Sequence, residues 1–225
     1  MIDSSKKYWF DKNDDSHTQK RKKQRFIRNQ ITGLNFEDEM FELRKSYQIL
    51  YPTLKIDERL RDDVTFITMQ GYRDRLFQRI KDAHAYERKR RRIGKPLKDF
   101  ERTILNDIHG LIWRQEYGED CGAHHIHIVA FASVSRRDHV TACDDLGMAW
   151  VRVTNGWGDF HNGNRYVHSY RNKWGVAIGY VHRDDDKKRS ALQKLIGLYM
   201  AKVAGQEPID RGEDDKLFGR RMFDR

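Results

Sequence analysis

The stretch His124–Phe131, HHIHIVAF, constrains this chain more than any other. It alternates like a β-strand, so residues two apart point to the same side. His125 and His127 therefore project from one face. Ile126 and Ile128 project from the other, toward a core, and His124 lies on their side. Upstream, Leu111–Glu116 (LIWRQE) has strand character as well. Between the two lies Tyr117–Ala123 (YGEDCGA), with two glycines and Asp120, a composition suited to a turn. The two strands are therefore predicted to form an antiparallel hairpin. Glu116 then falls across the turn from the histidines and sits beside His125 on their face.

Other elements follow from periodicity. Phe36–Leu50 carries apolar residues at helical spacing, with Asn35 as N-cap and Pro52 beyond the end. Val64–Met69 (VTFITM) is short and β-branched and reads as a strand. Helices are expected over Arg73–Arg92, Leu97–His109 (ended by Gly110), His139–Trp150 and Lys188–Ala204. A further strand is expected over Trp174–Val181. Arg152–Asn172, rich in Gly, Asn and aromatics and containing His161 and His168, yields no clear element. The fold class implied is α+β: a central antiparallel sheet of about five strands flanked by helices. Residues 1–35 read as a mobile basic arm, 36–205 as one domain and 206–225 as a charged tail.

The net charge of +10 is gathered in clusters. One runs from Lys20 to Arg25. A second, Arg88–Arg92, includes Arg88, Arg90 and Arg91. A third, Lys187, Lys188 and Arg189, precedes the last helix. Such clusters suit a polyanion, because neutralising phosphates releases counterions. No apolar run is long enough to cross a bilayer, and the first twelve residues lack the core of a secretory signal. A soluble cytoplasmic protein is expected. Cys121 and Cys143 are too few for a disulfide framework or a zinc knot and read as reduced thiols.

A carboxylate and two imidazoles on one face form a ligand set for a divalent ion, and Mg²⁺ or Mn²⁺ suits a phosphate substrate. The second chemical feature is Tyr199-Met200-Ala201-Lys202. Taken alone, Tyr199 at helical spacing with Leu195 and Leu198 reads as core. Beside a metal site, its phenol is a candidate nucleophile, with Lys202 on the same helix face to stabilise negative charge.

Three segments in order resemble the motifs of the His-hydrophobic-His (HUH) superfamily of single-strand nicking enzymes. They are VTFITM, then EYGEDCGAHHIHIV from Glu116 to Val129, then YMAK from Tyr199 to Lys202. The likeness covers about residues 60–205. It is nearest to rolling-circle replication initiators of filamentous phages and related prophage or plasmid proteins, in which the histidines precede the tyrosine. The resemblance implies an HUH, RRM-like core and single-stranded origin DNA in a basic groove. It implies Glu116, His125 and His127 as metal ligands, and Tyr199 as the nucleophile that leaves a free 3′-OH and a 5′-phosphotyrosine. It also implies a host helicase and polymerase as partners, since no helicase phosphate-binding loop is present. Trp157, Tyr166, Tyr170 and Trp174 are candidates for stacking on bases. Only one tyrosine occupies the third motif, which leaves strand re-joining unexplained. A single-tyrosine transposase or mobilisation nickase fits the same residues. So does a non-catalytic nucleic-acid-binding protein.

Overall fold

A computed structural model describes residues 5–118, 123–134, 138–170, 173–203 and 216–223. The fold is α+β. Seven strands form one antiparallel sheet: β1 (Ser46–Leu50), β2 (Pro52–Ile56), β3 (Ile108–Gly118), β4 (Ala123–Ala132), β5 (Gly158–Asn162), β6 (Gly179–His182) and β7 (Phe218–Met222). They occupy five positions. β7 pairs with β3 and β3 with β4. The next position is shared by β2 and β1, which pair with the two ends of β4. Outside them, β5 pairs with β2 and β6 with β1. β1 and β2 are thus one strand interrupted at Tyr51.

Helices cover both faces. α2 (Phe66–Arg92), α3 (Ile104–Asp107) and α4 (His139–Val153) lie on one side. There Leu76, Ile80, Leu146 and Trp150 pack on Ile126, Ile128 and Ala130. α1 (Ser16–Leu43), α5 (Asp186–Lys194) and the π-helical turn Leu195–Met200 lie on the other. Phe36, Met40, Leu192 and Ile196 pack there on Val129 and Phe131. A fully buried aliphatic side chain contributes about 1.5–3 kcal/mol, so the sheet is held from both sides.

Parity along β3 depends on a bulge. The register with β4 shifts between Ile108 and Gly110. One extra residue inverts the faces beyond it. As a result Leu111 and Trp113 face α2, while Ile112, Arg114 and Glu116 face the α1 side. Gly110 serves this bulge and does not end a helix. A Cβ there would lie 2.8 Å from Met40 and from Phe36 of α1, so glycine permits the close approach of that helix.

Several sequence expectations are corrected. The strand expected at Val64–Met69 is the start of α2: Thr65 is its N-cap, its hydroxyl accepting from the Thr68 N–H at 3.2 Å. The helix expected over 36–50 ends at Leu43, and Ser46–Leu50 is β1. The spacing of Leu43, Tyr47 and Leu50 mimics a helix, yet β1 is covered on both faces and so has no polar side to reveal its alternation. The mobile arm expected over residues 1–35 is a helix from Ser16 onward, begun by Asp15 capping Thr18, and α1 runs through the expected domain boundary. The expected tail supplies β7. Leu97–His109 is a 3₁₀ turn and the short α3, with Ile108 and His109 already in β3. Trp174–Val181 begins with a 3₁₀ turn at Gly175–Ala177 before β6. The unreadable stretch contains β5 and a 3₁₀ turn, Val167–Tyr170. The hairpin and α4 stand as expected. Part of the hairpin turn, with Cys121, falls outside the described residues. Cys143 is buried and burial pushes its thiol up to about 12, so it is inert as a nucleophile.

A candidate metal centre with a tyrosine beside it

The hairpin register sets Glu116 directly opposite His125, and Arg114 opposite His127. All four side chains share the face covered by α5. Glu116 Oε2 lies 3.6 Å from His125 Nε2 and 3.9 Å from His127 Nε2. One ligand atom from each of Glu116, His125 and His127 falls within 4.8 Å of the others. Glu116 and His127 are buried, and His125 is partly open.

The neighbours of these groups fix how they are presented. Thr53 Oγ1 is 2.9 Å from His127 Nδ1. With Nδ1–H donating to that hydroxyl, the Nε2 lone pair points into the cluster. Arg114 Nε makes an ion pair with Glu116 Oε1 at 2.6 Å, which leaves Oε2 toward the imidazoles. Burial works against ionising Glu116, but the His125 ring and the charge of Arg114 outweigh it and hold the carboxyl below the usual range. Burial also pushes His127 down to about 3, against the opposing pull of Glu116. The histidine is therefore neutral, the form that binds a metal. An ionised carboxylate and a neutral imidazole whose lone pair faces it, with a second imidazole alongside, fit a divalent cation. The identity of the ion is not specified by this donor set.

Tyr199 arrives from the far end of the chain. α5 begins at an Asp185 cap on Lys188 and changes at Leu195 into a π-turn, in which the Ala201 N–H reaches back five residues to Ile196 O at 3.1 Å. The turn brings the Tyr199 hydroxyl to 3.2 Å from His127 Nε2. Arg114 donates to Tyr199 O at 3.0 Å. From α1, Gln30 donates to Gly197 O at 3.0 Å and Asn29 to Ala201 O at 3.4 Å. The supposed mobile arm is thus what steadies the tyrosine. Burial, with Glu116 adding to it, pushes the Tyr199 phenol up to about 12, so it is protonated near neutral pH. Lys202 is half-buried, and its charge acts on His127. Its backbone N–H closes on Tyr199 O at 3.3 Å.

The remaining candidates divide. Trp174 is buried against Tyr199, with ring centroids 4.9 Å apart, and Tyr170 stacks on Trp174; both are walls of the site. Tyr166 is 49% exposed and lies parallel to His161 at 4.8 Å. Trp157 is also exposed. The β2–β5 end of the face stays open, with Lys55 and Asp159 paired there and both nearly half exposed. The basic candidates do not gather at the site. Arg88, Arg90 and Arg91 stand at the end of α2, which packs on the opposite face of the sheet. Arg91 pairs with Glu87 and Arg90 with Glu101. Arg189 is taken up by Glu37 and Asp38 of α1 and lies over Phe41, so it is a structural cation. Lys188 donates to Tyr180 O, and Lys187 is exposed. These two sit up to roughly 18 Å along the helix from Tyr199.

Arg114, Thr53 and Tyr51 were not identified from sequence. For Arg114 the signal was present: it lies two residues before Glu116 on one strand, hence on the same face. Among the described residues, no helix is long and apolar enough to cross a membrane. Comparison of the chain with protein-family models, with curated proteins and with solved structures gave no match.

Proposed function

We propose that this chain is a metal-dependent endonuclease that nicks single-stranded DNA through Tyr199 and becomes covalently joined to it. The observation that carries the reading is the Tyr199 hydroxyl 3.2 Å from His127 Nε2, at the edge of the Glu116, His125 and His127 cluster. Protonated near neutral pH, the phenol is a weak nucleophile as it stands, and its place against a site fit for a divalent cation is what would activate it toward a phosphodiester.

In the proposed reaction the Tyr199 oxygen forms a bond to the scissile phosphorus. The bond from phosphorus to the 3′ oxygen breaks, and the electron pair leaves with that oxygen. The phenol proton passes to water, and the departing 3′ oxygen takes one from water. One phosphodiester replaces another, so the link stays reversible and the freed 3′-OH can prime synthesis, as in rolling-circle replication. Glu116, His125 and His127 would hold Mg²⁺ or Mn²⁺, whose contribution is to polarise the phosphate. Lys202 supplies fixed positive charge close to the reacting oxygen. Arg114 and Thr53 hold the carboxylate and the imidazole in place. The DNA would enter over the open β2–β5 end, past Lys55, His161 and Tyr166, where a ring stack and a cation suit bases and phosphates. An origin, a helicase and a polymerase belong to this proposal as its setting.

The test is a denaturing gel of the purified protein with labelled single-stranded oligonucleotides and Mn²⁺ or Mg²⁺. A slower band that EDTA prevents supports the reading. Absence of any adduct with either ion, on pooled and on cognate DNA, overturns it, and retained DNA binding would then favour a non-catalytic binding protein. Metal binding is checked separately by melting. At Mn²⁺ near a hundred times its Kd the wild type should melt about 5–10 °C higher. His125→Ala should lose that shift, because it removes a ligand while leaving the Arg114–Glu116 pair intact. An equal shift in both proteins would place the ion elsewhere.

A further inference from the structure

Tyr51 occupies the gap between β1 and β2 and is only 2% exposed. Strand alternation carries Tyr47, Ile49, Tyr51, Thr53 and Lys55 onto the face that bears His127. There the Tyr51 ring lies parallel to His127, 6.3 Å away with the planes 13° apart. It stands edge-on to Tyr170 at 5.8 Å and to Tyr199 at 6.5 Å. The Tyr51 hydroxyl acts on that of Tyr199 across this edge contact.

The backbone is built to hold this residue out of the ladders. The Tyr51 N–H donates to Asn164 Oδ1 at 2.7 Å, and the Asn164 side-chain amide donates to Ile49 O at 2.9 Å. The Gly163 N–H donates to Tyr51 O at 3.1 Å. A Cβ on Gly163 would lie 2.3 Å from that same oxygen, so only glycine permits the approach. Asn164 is itself almost wholly buried. A stretch that carried no readable element is thus a clamp on one tyrosine.

We infer that Tyr51 is a positioning residue for Tyr199: clamped by Gly163 and Asn164, it donates its hydroxyl to the Tyr199 oxygen and fixes that phenol beside His127. The enclosure of Tyr51 argues against its meeting a phosphate itself. A phenylalanine would serve the ring packing equally, so the hydroxyl is the informative atom. The Tyr51 hydroxyl is a donor to Tyr199 that does not draw on the one lone pair of His127 Nε2, which a cation would need. The catalytic part of this inference rests on the nicking reading, while the positioning part does not.

The experiment uses Tyr51→Phe in the full chain, with two readouts. The first is adduct formation. The maximal rate should fall about tenfold, one hydrogen bond's worth, while KM for the oligonucleotide and the Mn²⁺-induced melting shift stay within about twofold. The second needs no activity. With 3-fluorotyrosine incorporated, the fluorine NMR signal of Tyr199, identified by its loss in Tyr199→Phe, should be a single sharp line that broadens or splits in Tyr51→Phe. An unchanged Tyr199 line and an unchanged rate overturn the inference. So does a rate loss that appears only in KM. If the wild-type protein makes no adduct, the nicking reading fails and the fluorine line alone decides the role of Tyr51.

Discussion

Replacing Tyr199 by phenylalanine should abolish the covalent protein–DNA adduct, a loss of about four orders of magnitude or more. The scaffold should survive the change. The ring keeps its contacts with Trp174 and His127, whose centroids lie 4.9 and 5.3 Å away. The lost hydroxyl bond to His127 and contact with Tyr51 should cost about 1–2 kcal/mol. Metal binding should persist, because Glu116, His125 and His127 are untouched. The expected pattern is therefore no adduct, with DNA affinity and the Mn²⁺ melting shift both retained. Mass spectrometry of the digested adduct supplies the counter-test. A DNA-linked peptide recovered from Tyr199→Phe would assign the nucleophile to another tyrosine, with the partly buried Tyr170 the first to inspect.

The second large effect concerns stability. Arg114→Met should destabilise the fold by about 3–5 kcal/mol, since it strands a buried carboxylate without its partner. For a domain of this size that lowers the melting temperature by about 10 °C. Arg114 is 5% exposed and Glu116 3%, so water cannot easily replace the lost pair. Tyr199 O also loses one of its two donors, keeping the Lys202 N–H. The double change Arg114→Met with Glu116→Gln should recover most of the loss, because no unpaired charge then remains. Thermal melts of the two single variants and the double variant decide the matter. A double variant as unstable as Arg114→Met alone would show that packing, not charge, is what Arg114 provides.

What was legible in the sequence was local. Alternation in HHIHIVAF, together with the turn before it, placed Glu116, His125 and His127 on one face without knowledge of any distant residue. What was hidden depended on partners far along the chain. α1 was obscured because its inward face carries Gln30 and Glu37, which bond to Gly197 O and Arg189; buried polar residues interrupt the apolar stripe that marks a helix. β1 was hidden by burial on both faces. Val64–Met69 misled because a β-branched run was read without its cap, Thr65. That correction withdraws strand support from the first of the three resembling motifs, while the hairpin and the Tyr199 segment keep their geometry. The basic clusters marked charge without marking place, since net charge carries no information about which face of a sheet a helix will cover.

The π-turn at Leu195–Met200 has a consequence for how such a site can arise. A hydrogen bond that spans five residues is an α-helix with one residue too many. Without that residue the segment would close into ordinary α-helix, and the side chain at position 199 would swing round by about 100°, away from His127. The helix would still cover the sheet, and Gly197 O could be satisfied internally without Gln30. One inserted codon thus separates a helix that merely packs from one that offers an oxygen to a cation site. Chemistry can enter and leave this architecture by a change in length alone, with every strand left where it was.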